Sequence, residues 1–401
     1  MSEQPHRKKI LISAGETSGD IYAAELIDEL LKCGDFEIHA VGGTQTARRP
    51  VNMLYDSQNW AAIGYIEAIK QAPRLLLVLR SLKQFLADKR PDLLILLDYP
   101  GFNMRLAREA TRLNIPSLYV FPPSKFAKNP ADVADAARNI TAVAANFSFT
   151  YEVYKAAGAN VEFVGHPLID LARPTMNRDE AFKAFGLDPA RPVVGLCPGS
   201  RKSELEQLLP LMFDTAKLLL ERDPTLQFVV PVIATEGPDV YGIPKLDLRK
   251  QVESTNLPVK IVEGRIYDVM AISKVLLISS GTATLEATRI GTPMVIVYRV
   301  SLFTEIMARL FNKLPAFIGL PNILLGRMAI PELIQHDFTA EQLAAQAIDL
   351  LKNSGKCEQQ KRDMAEAISH LGTSGASGRI AMMALNLLSV ADVKNDDRKG
   401  V

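Results

Sequence analysis

The sequence predicts an α/β protein built from two doubly wound domains, and three observations predict it. At 401 residues the chain is longer than one hydrophobic core usually supports. Short apolar runs alternate with stretches of helical periodicity along most of its length, as buried parallel strands joined by crossover helices would. Small-residue turns directly follow several of those runs, at the strand-to-helix junctions where α/β sheets bind ligands.

Composition narrows the function classes. Hydrophobic residues make up 48% and charged residues 23%, and 46 basic side chains nearly cancel 45 acidic ones. A net charge of +1 gives no argument for a nucleic-acid partner, which would call for a basic excess or stripe. Cys33, Cys197 and Cys357 are odd in number and widely spaced, which argues for a reducing compartment and against a disulfide framework or a zinc site. The amino-terminal MSEQPHRKKILISAGE has no signal-peptide core, and no run reaches the ~18 apolar residues of a membrane span. The expectation is a cytoplasmic protein, at most peripheral to a membrane.

In the first domain, Lys9 to Ala14 is a strand, followed by the turn Gly15-Glu16-Thr17-Ser18-Gly19-Asp20 and a helix to about Cys33. Two glycines there mean that the backbone approaches a neighbour closely or takes positive φ. The turn is read as facing polar hydroxyls of an acceptor, with a plain structural turn left open. Glu37 to Val41 is a second strand, and Ala61 to Leu86 is mostly helical. Leu93 to Leu97 is the most apolar strand of this half and ends at Asp98, ahead of the helix Met104 to Leu113. A carboxylate at the carboxyl end of a central strand stands where such folds bind ligands; capping the helix or holding the turn is the structural alternative. Ser117 to Phe121, Ala142 to Ala144 and Val161 to Val164 are further strands, and Tyr151 to Ala157 a helix. The first domain is placed at residues 1–170.

The second domain, residues 171–350, opens with the strand Val193 to Cys197 and Pro198-Gly199-Ser200-Arg201. Ser203 and Glu206 have capping-box spacing for a helix through Leu220. Phe228 to Val232 and Val259 to Val262 are strands, then Val275 to Ile278, the turn Ser279-Ser280-Gly281-Thr282, a helix to Ile290 and the strand Met294 to Tyr298. Leu302 to Leu314 reads as an apolar-faced helix, and Pro321-Asn322 and Pro331-Glu332 as loop. Residues 351–401 supply closing helices, expected to cross back to the first domain, and a charged tail from Lys394 read as disordered. Two such domains are the layout of a GT-B glycosyltransferase.

Two turns in the second domain carry phosphate logic. At Ser280 to Thr282, free amides and the helix dipole suit a phosphate or sugar hydroxyl, and Glu286, one helical turn in, can accept from a ribose diol. A tight βα connection with a solvated glutamate is the alternative. At Gly199-Ser200-Arg201 a guanidinium joins the turn and can clamp a pyrophosphate, or pair with Glu204 instead. Two such turns together favour a nucleotide-diphosphate donor site. Walker A, HExxH, CxxC and Gly-x-Ser-x-Gly patterns and a dinucleotide fingerprint are all absent from the sequence, which leaves a sugar nucleotide, with Asp98 and Glu16 as candidate bases. His166 is read as a hydrogen-bonded hinge residue.

The motifs resemble those of the lipid-A-disaccharide synthase family: AGETSGD at Ala14 to Asp20, IGYIEAIKQAPRLL at Ile63 to Leu76, LDYPGFNMRLA at Leu97 to Ala107, FVGHPLID at Phe163 to Asp170, PGSRKSEL at Pro198 to Leu205 and SSGTATLEA at Ser279 to Ala287, followed by PMVIVYR, LPN and IPE. The resemblance implies a GT-B enzyme that joins UDP-2,3-diacylglucosamine to the monosaccharide lipid X with inversion, at the cytoplasmic face of the inner membrane. It implies Asp98 as the base for the acceptor's 6-hydroxyl. Gly199, Ser200, Arg201, Ser280, Gly281, Thr282 and Glu286 would hold UDP, with Asn322, Glu332 and Gln335 along its uracil or sugar side. Ser18, Asp20 and Asn103 fall to the acceptor. Arg201 would stabilise the leaving diphosphate, so neither metal nor cofactor is called for, and the resemblance leaves room for a homodimer. Leu302 to Leu325 offers an apolar region for a lipid or membrane. The chain departs from the family pattern at Pro122 to Lys128, where a tryptophan-rich segment is usual, at Ser148 to Glu152, and at Gly42 to Thr46. All three lie in the acceptor-side domain, which puts a UDP-sugar with another acceptor, or a non-catalytic sugar-nucleotide or lipid-binding homologue, beside the first reading.

Overall fold

The computed structural model describes residues 7–57, 60, 65–122, 130–199, 202–232, 239–240, 243–299 and 316–396. The chain divides into two compact units, residues 1–167 with 371–401, and residues 168–370.

The first unit is built on seven parallel strands: β1 (Lys8–Ala14), β2 (Phe36–Gly42), β3 (Asn52–Asp56), β4 (Leu93–Leu97), β5 (Ser117–Val120), β6 (Ala142–Ala145) and β7 (Val161–Phe163), in the order β3-β2-β1-β4-β5-β6-β7. The inner strands are apolar on both faces because both are covered by helices. Ile10 and Ile12 pack under Leu26 and Leu30 of the helix Thr17–Cys33 and Ile380 and Leu388 of the helix Ala376–Asp396. Leu11, Leu94 and Leu96 face the opposite layer, Leu82 and Leu86 of Tyr65–Lys89 and Leu106 and Ala110 of Pro100–Arg112. After β1 the chain moves outward through β2 and β3, then returns to lay β4 on the other side of β1. That reversal opens a crevice at the carboxyl ends of β1 and β4. Ala14 is in register with Leu97, so Gly15 and Asp98 leave the sheet side by side.

The second unit repeats the scheme with six strands, β8 (Val193–Cys197), β9 (Gln227–Val232), β10 (Val259–Glu263), β11 (Val275–Ser279), β12 (Met294–Tyr298) and β13 (Glu332–Ile334), ordered β10-β9-β8-β11-β12-β13. Its reversal lies between β8 and β11, where Cys197 pairs with Ile278. The turns carrying Gly199 and Gly281 are therefore neighbours.

The structure amends the expected elements in several places. The closing helices divide: in Ser354–Ser369, Gln360 clasps the amide and carbonyl of Met294 at 2.6 and 3.1 Å, so this helix stays with the second unit. Only the segment from Leu371 returns to the first, where Arg379 Nε donates to the Val164 carbonyl at 2.8 Å. Lys394 to Asp396 continue the last helix instead of opening a disordered tail. Helix Lys202–Arg222 already includes Ser203 and Glu206, so they are not its capping box. β3 and β13, unforeseen, are edge strands, short and incompletely buried.

Candidate active site

In the first unit the geometry converges on Asp98. Asp98 and Tyr99 both take positive φ, +48° and +41°, a region costly for residues with a Cβ. Side chains compensate. The Asp98 carbonyl accepts from Asn103 Nδ2 at 2.9 Å and from the Tyr119 hydroxyl at 2.8 Å. Asn103 Nδ2 also reaches the Leu97 carbonyl at 2.8 Å, while its Oδ1 accepts from Ser13 Oγ at 2.8 Å. The turn thereby directs the carboxylate back over β1, where Oδ1 accepts the Gly15 amide at 3.1 Å and Oδ2 is buried without a hydrogen-bond partner. Asp98 does not cap the helix that follows; that position is Tyr99.

Both glycines of the first turn serve close approach, not positive φ. A Cβ on Gly19 would lie 1.9 Å from Asp98 Oδ2, and one on Gly15 would lie 2.4 Å from the Tyr99 ring. Tyr99 packs with Trp60 and Phe102 and donates its hydroxyl to the Trp60 carbonyl at 3.1 Å. Burial first, and the Glu16 charge second, push the Asp98 carboxyl well above the usual carboxylate range, while the amides of Gly15, Glu16 and Gly19 pull the other way. A carboxylate so placed has one open acceptor oxygen and a raised proton affinity, the properties of a general base.

The other residues expected here separate by role. Glu16 stands at the start of helix Thr17–Cys33 without a side-chain capping bond, close enough for its charge to act on Asp98. Ser18 is half-buried in the first turn of that helix. Asp20 accepts the amides of Gly43, Gln45 and Thr46 at 2.7–2.9 Å, two on Oδ1 and one on Oδ2, and so caps the short helix Thr44–Ala47. Asn103, fully buried with both ends of its amide engaged, builds the Asp98 turn. His166 is buried among Tyr22, Phe121 and Phe147, and burial lowers its pKa to about 3. It is a neutral packing residue, with its backbone amide donating to Leu371 at 2.9 Å.

In the second unit, Gly199 has φ +114°, and a Cβ there would meet Glu204 Oε2 at 2.1 Å and Ser279 Oγ at 2.9 Å. Only glycine fits that junction. Ser200 and Arg201 lie outside the described residues. Gly281 is exposed, with open space around its Cα, and precedes helix Thr282–Ile290, where its carbonyl accepts the Thr284 amide at 3.1 Å. Glu286, half-buried one turn in, accepts the Tyr267 hydroxyl at 3.2 Å, and burial raises its pKa to about 7. Cys197, at the end of β8, is pushed up to about 12 by burial and by the charge of Glu286.

Three of the expected donor residues form a loop staple. Ser280 Oγ donates to the Ile318 carbonyl at 2.7 Å. Glu332 accepts the amides of Ile318 and Gly319 at 2.9 and 2.8 Å and the Asn322 Nδ2 at 2.8 Å. Asn322, fully buried, also donates to the Ile330 carbonyl at 2.7 Å and accepts the amides of Ala329 and Ile330, both at 2.9 Å. Asn322 and Glu332 thus seat the 318–319 loop beside the Ser280 turn. Gln335 ends up at the end of edge strand β13, two strands from β11, its carbonyl taken by Arg299 at 3.3 Å. Tyr119, Tyr267 and the amides of Ile318 and Gly319 were missed: hydroxyls inside apolar runs are the only signal the tyrosines leave. No cluster of metal-ligating side chains occurs among the described residues.

A sequence model of the family described as lipid-A-disaccharide synthetase matches residues 10–386. The chain belongs to that family. A lipid-A-disaccharide synthase of Geobacter sulfurreducens is 38% identical over 95% of this chain and 97% of its own, and one of Nitrosococcus oceani is 35% identical over 94% and 96%. The expected family and enzyme class, a glycosyltransferase of lipid A biosynthesis, hold. Among solved structures, a UDP-GlcNAc 2-epimerase from Neisseria meningitidis bound to UDP-GlcNAc superposes with a TM-score of 0.60 at 14% identity, covering 95% of this chain and 99% of that one. A sucrose-phosphate synthase from Thermosynechococcus elongatus does so at 0.54 and 14%, covering 97% and 100%. These likenesses support the GT-B fold. No described helix is long and apolar enough to cross a membrane, and the apolar stretch expected at Leu302 to Leu314 lies outside the described residues, as does most of the divergent segment at Pro122 to Lys128.

Proposed function

We propose that the chain is an inverting glycosyltransferase that condenses UDP-2,3-diacylglucosamine with 2,3-diacylglucosamine 1-phosphate, lipid X, to the β-1,6-linked disaccharide 1-phosphate and UDP. Asp98 takes the proton of the acceptor's 6-hydroxyl as that oxygen attacks the anomeric carbon. The bond to UDP breaks with its electron pair, and one displacement converts the α-linked donor to a β product. The observation that carries this reading is the Asp98 carboxylate, with Oδ2 buried and unpartnered at the sheet reversal of the first unit. Glu16 stands beside it and raises its proton affinity.

In the second unit the Gly281–Thr282 helix start and Gly199 take the diphosphate, with Ser200 and Arg201 on the leaving phosphate, and Glu286 accepts from the ribose diol. The UDP-GlcNAc bound to the Neisseria epimerase supports a UDP-sugar donor. Ser18 is the remaining acceptor-side contact. Two acylated substrates call for work at a lipid surface, and a peripheral place on the cytoplasmic face of the inner membrane fits them.

The test is UDP release from UDP-diacylglucosamine with and without lipid X, with mass analysis of the product. Asp98→Asn should lower kcat by roughly 10²–10⁴-fold and leave UDP affinity unchanged. Turnover that survives Asp98→Asn removes Asp98 as the base. UDP release giving no disaccharide monophosphate moves the reading to another acceptor.

A further inference from the structure

The geometry points to Tyr119, acting with Asn103, as a positioning residue for the proposed base: by binding the Asp98 carbonyl it holds residues 98 and 99 in left-handed conformation and so aims the carboxylate. The inference rests on the proposed role of Asp98, and its test separates the two. Tyr119 lies in β5, fully buried in the apolar layer with Leu94, Leu96 and Val143. Phenylalanine would fill that space equally well, and a hydroxyl there costs desolvation unless it is bonded. Its hydrogen bond goes to the Asp98 carbonyl, at 2.8 Å.

Among the described residues, that carbonyl stands at the one place where two successive non-glycine residues take positive φ. Asn103 and Tyr119 approach it from a helix and from a strand, 2.9 and 2.8 Å away, so the turn is held from two independent elements. Everything the carboxylate does depends on that backbone: the Gly15 amide on Oδ1, the open Oδ2 over Gly19, and its burial. The titratable groups around it are Glu16 at the helix start, Tyr99 beside it and Tyr119 beneath. Releasing one donor lets the turn relax toward ordinary φ and swings the carboxylate toward water, which lowers its proton affinity.

The experiment compares Tyr119→Phe, Asn103→Ala and Asp98→Asn in the full chain, with UDP affinity and a thermal melt establishing that each is folded. Tyr119→Phe should lower kcat by about ten- to a hundredfold, leave the UDP Kd unchanged, and move the acid limb of the kcat profile to lower pH. Lost packing alone would not move that limb. If Asp98→Asn is inactive while both other variants keep kcat within about twofold and the limb in place, the positioning role is overturned. An active Asp98→Asn rejects the base itself.

Discussion

If Glu286 accepts from the UDP ribose as proposed, the affinity for UDP depends on pH in a way that can be worked out in advance. Its carboxyl has a pKa of about 7, raised chiefly by burial, with the Tyr267 hydroxyl opposing. A ribose diol donates two hydrogen bonds, so it prefers the ionised carboxylate. The group is about nine-tenths ionised at pH 8, half at pH 7 and one-tenth at pH 6. If UDP binds only the ionised form, its Kd rises roughly tenfold from pH 8 to pH 6. The sign follows from the raised pKa: affinity is fully present above it and is lost as pH falls through it. The phosphate of UDP itself gains a proton near pH 6, so the quantity to measure is the difference between wild type and Glu286→Gln. Titration calorimetry at pH 6, 7 and 8 should show the variant weaker at pH 8 and nearly equal to wild type at pH 6. Parallel slopes in the two proteins would refute the argument and leave Glu286 a first-turn residue with no part in the ribose contact.

Two further substitutions test the loops that surround the chemistry. Gly19→Ala places a methyl 1.9 Å from Asp98 Oδ2, and should abolish turnover by more than about a hundredfold while the melting temperature changes little, since alanine favours the helix it joins; an active variant would mean that the carboxylate is free to move aside. Asn322→Ala removes the centre of the staple and leaves the amides of Ala329 and Ile330 and the Glu332 carboxylate short of partners. It should weaken UDP binding about tenfold or more although Asn322 offers the ligand no free atom, and an unchanged UDP Kd would show that the 318–319 loop lies outside the donor site.

The fold was legible because a parallel sheet covered on both faces writes itself as short apolar runs. Leu93 to Leu97 and Val275 to Ile278 are buried at every position, and both were read as strands. The edge strands β3 and β13 were not. Asn52–Asp56 is partly exposed throughout, and Glu332–Ile334 is three residues long, so neither leaves a run to read. Helix Ser354–Ser369 stays with the second unit because Gln360 ties it to Met294, Arg327 pairs with its Asp363 and Glu366, and Met364 packs into the core there, pairings with no local signature.

The site divides along the same line. That Asp98 and the glycine turns stand at strand ends follows from chain order alone, since in an α/β sheet the carboxyl edge is where chemistry gathers. Which motif residues would serve each other was beyond the chain order. Asp20 with Gly43, Asn103 with Ser13, and Ser280 with Ile318 are separated by tens of residues, and each polar atom has several partners it could satisfy. Hydrogen-bonding groups in a motif look alike in sequence whether they meet a ligand or a backbone amide. Only the tertiary structure assigns the donors, because a buried polar atom takes whichever partner the packing brings within about 3 Å.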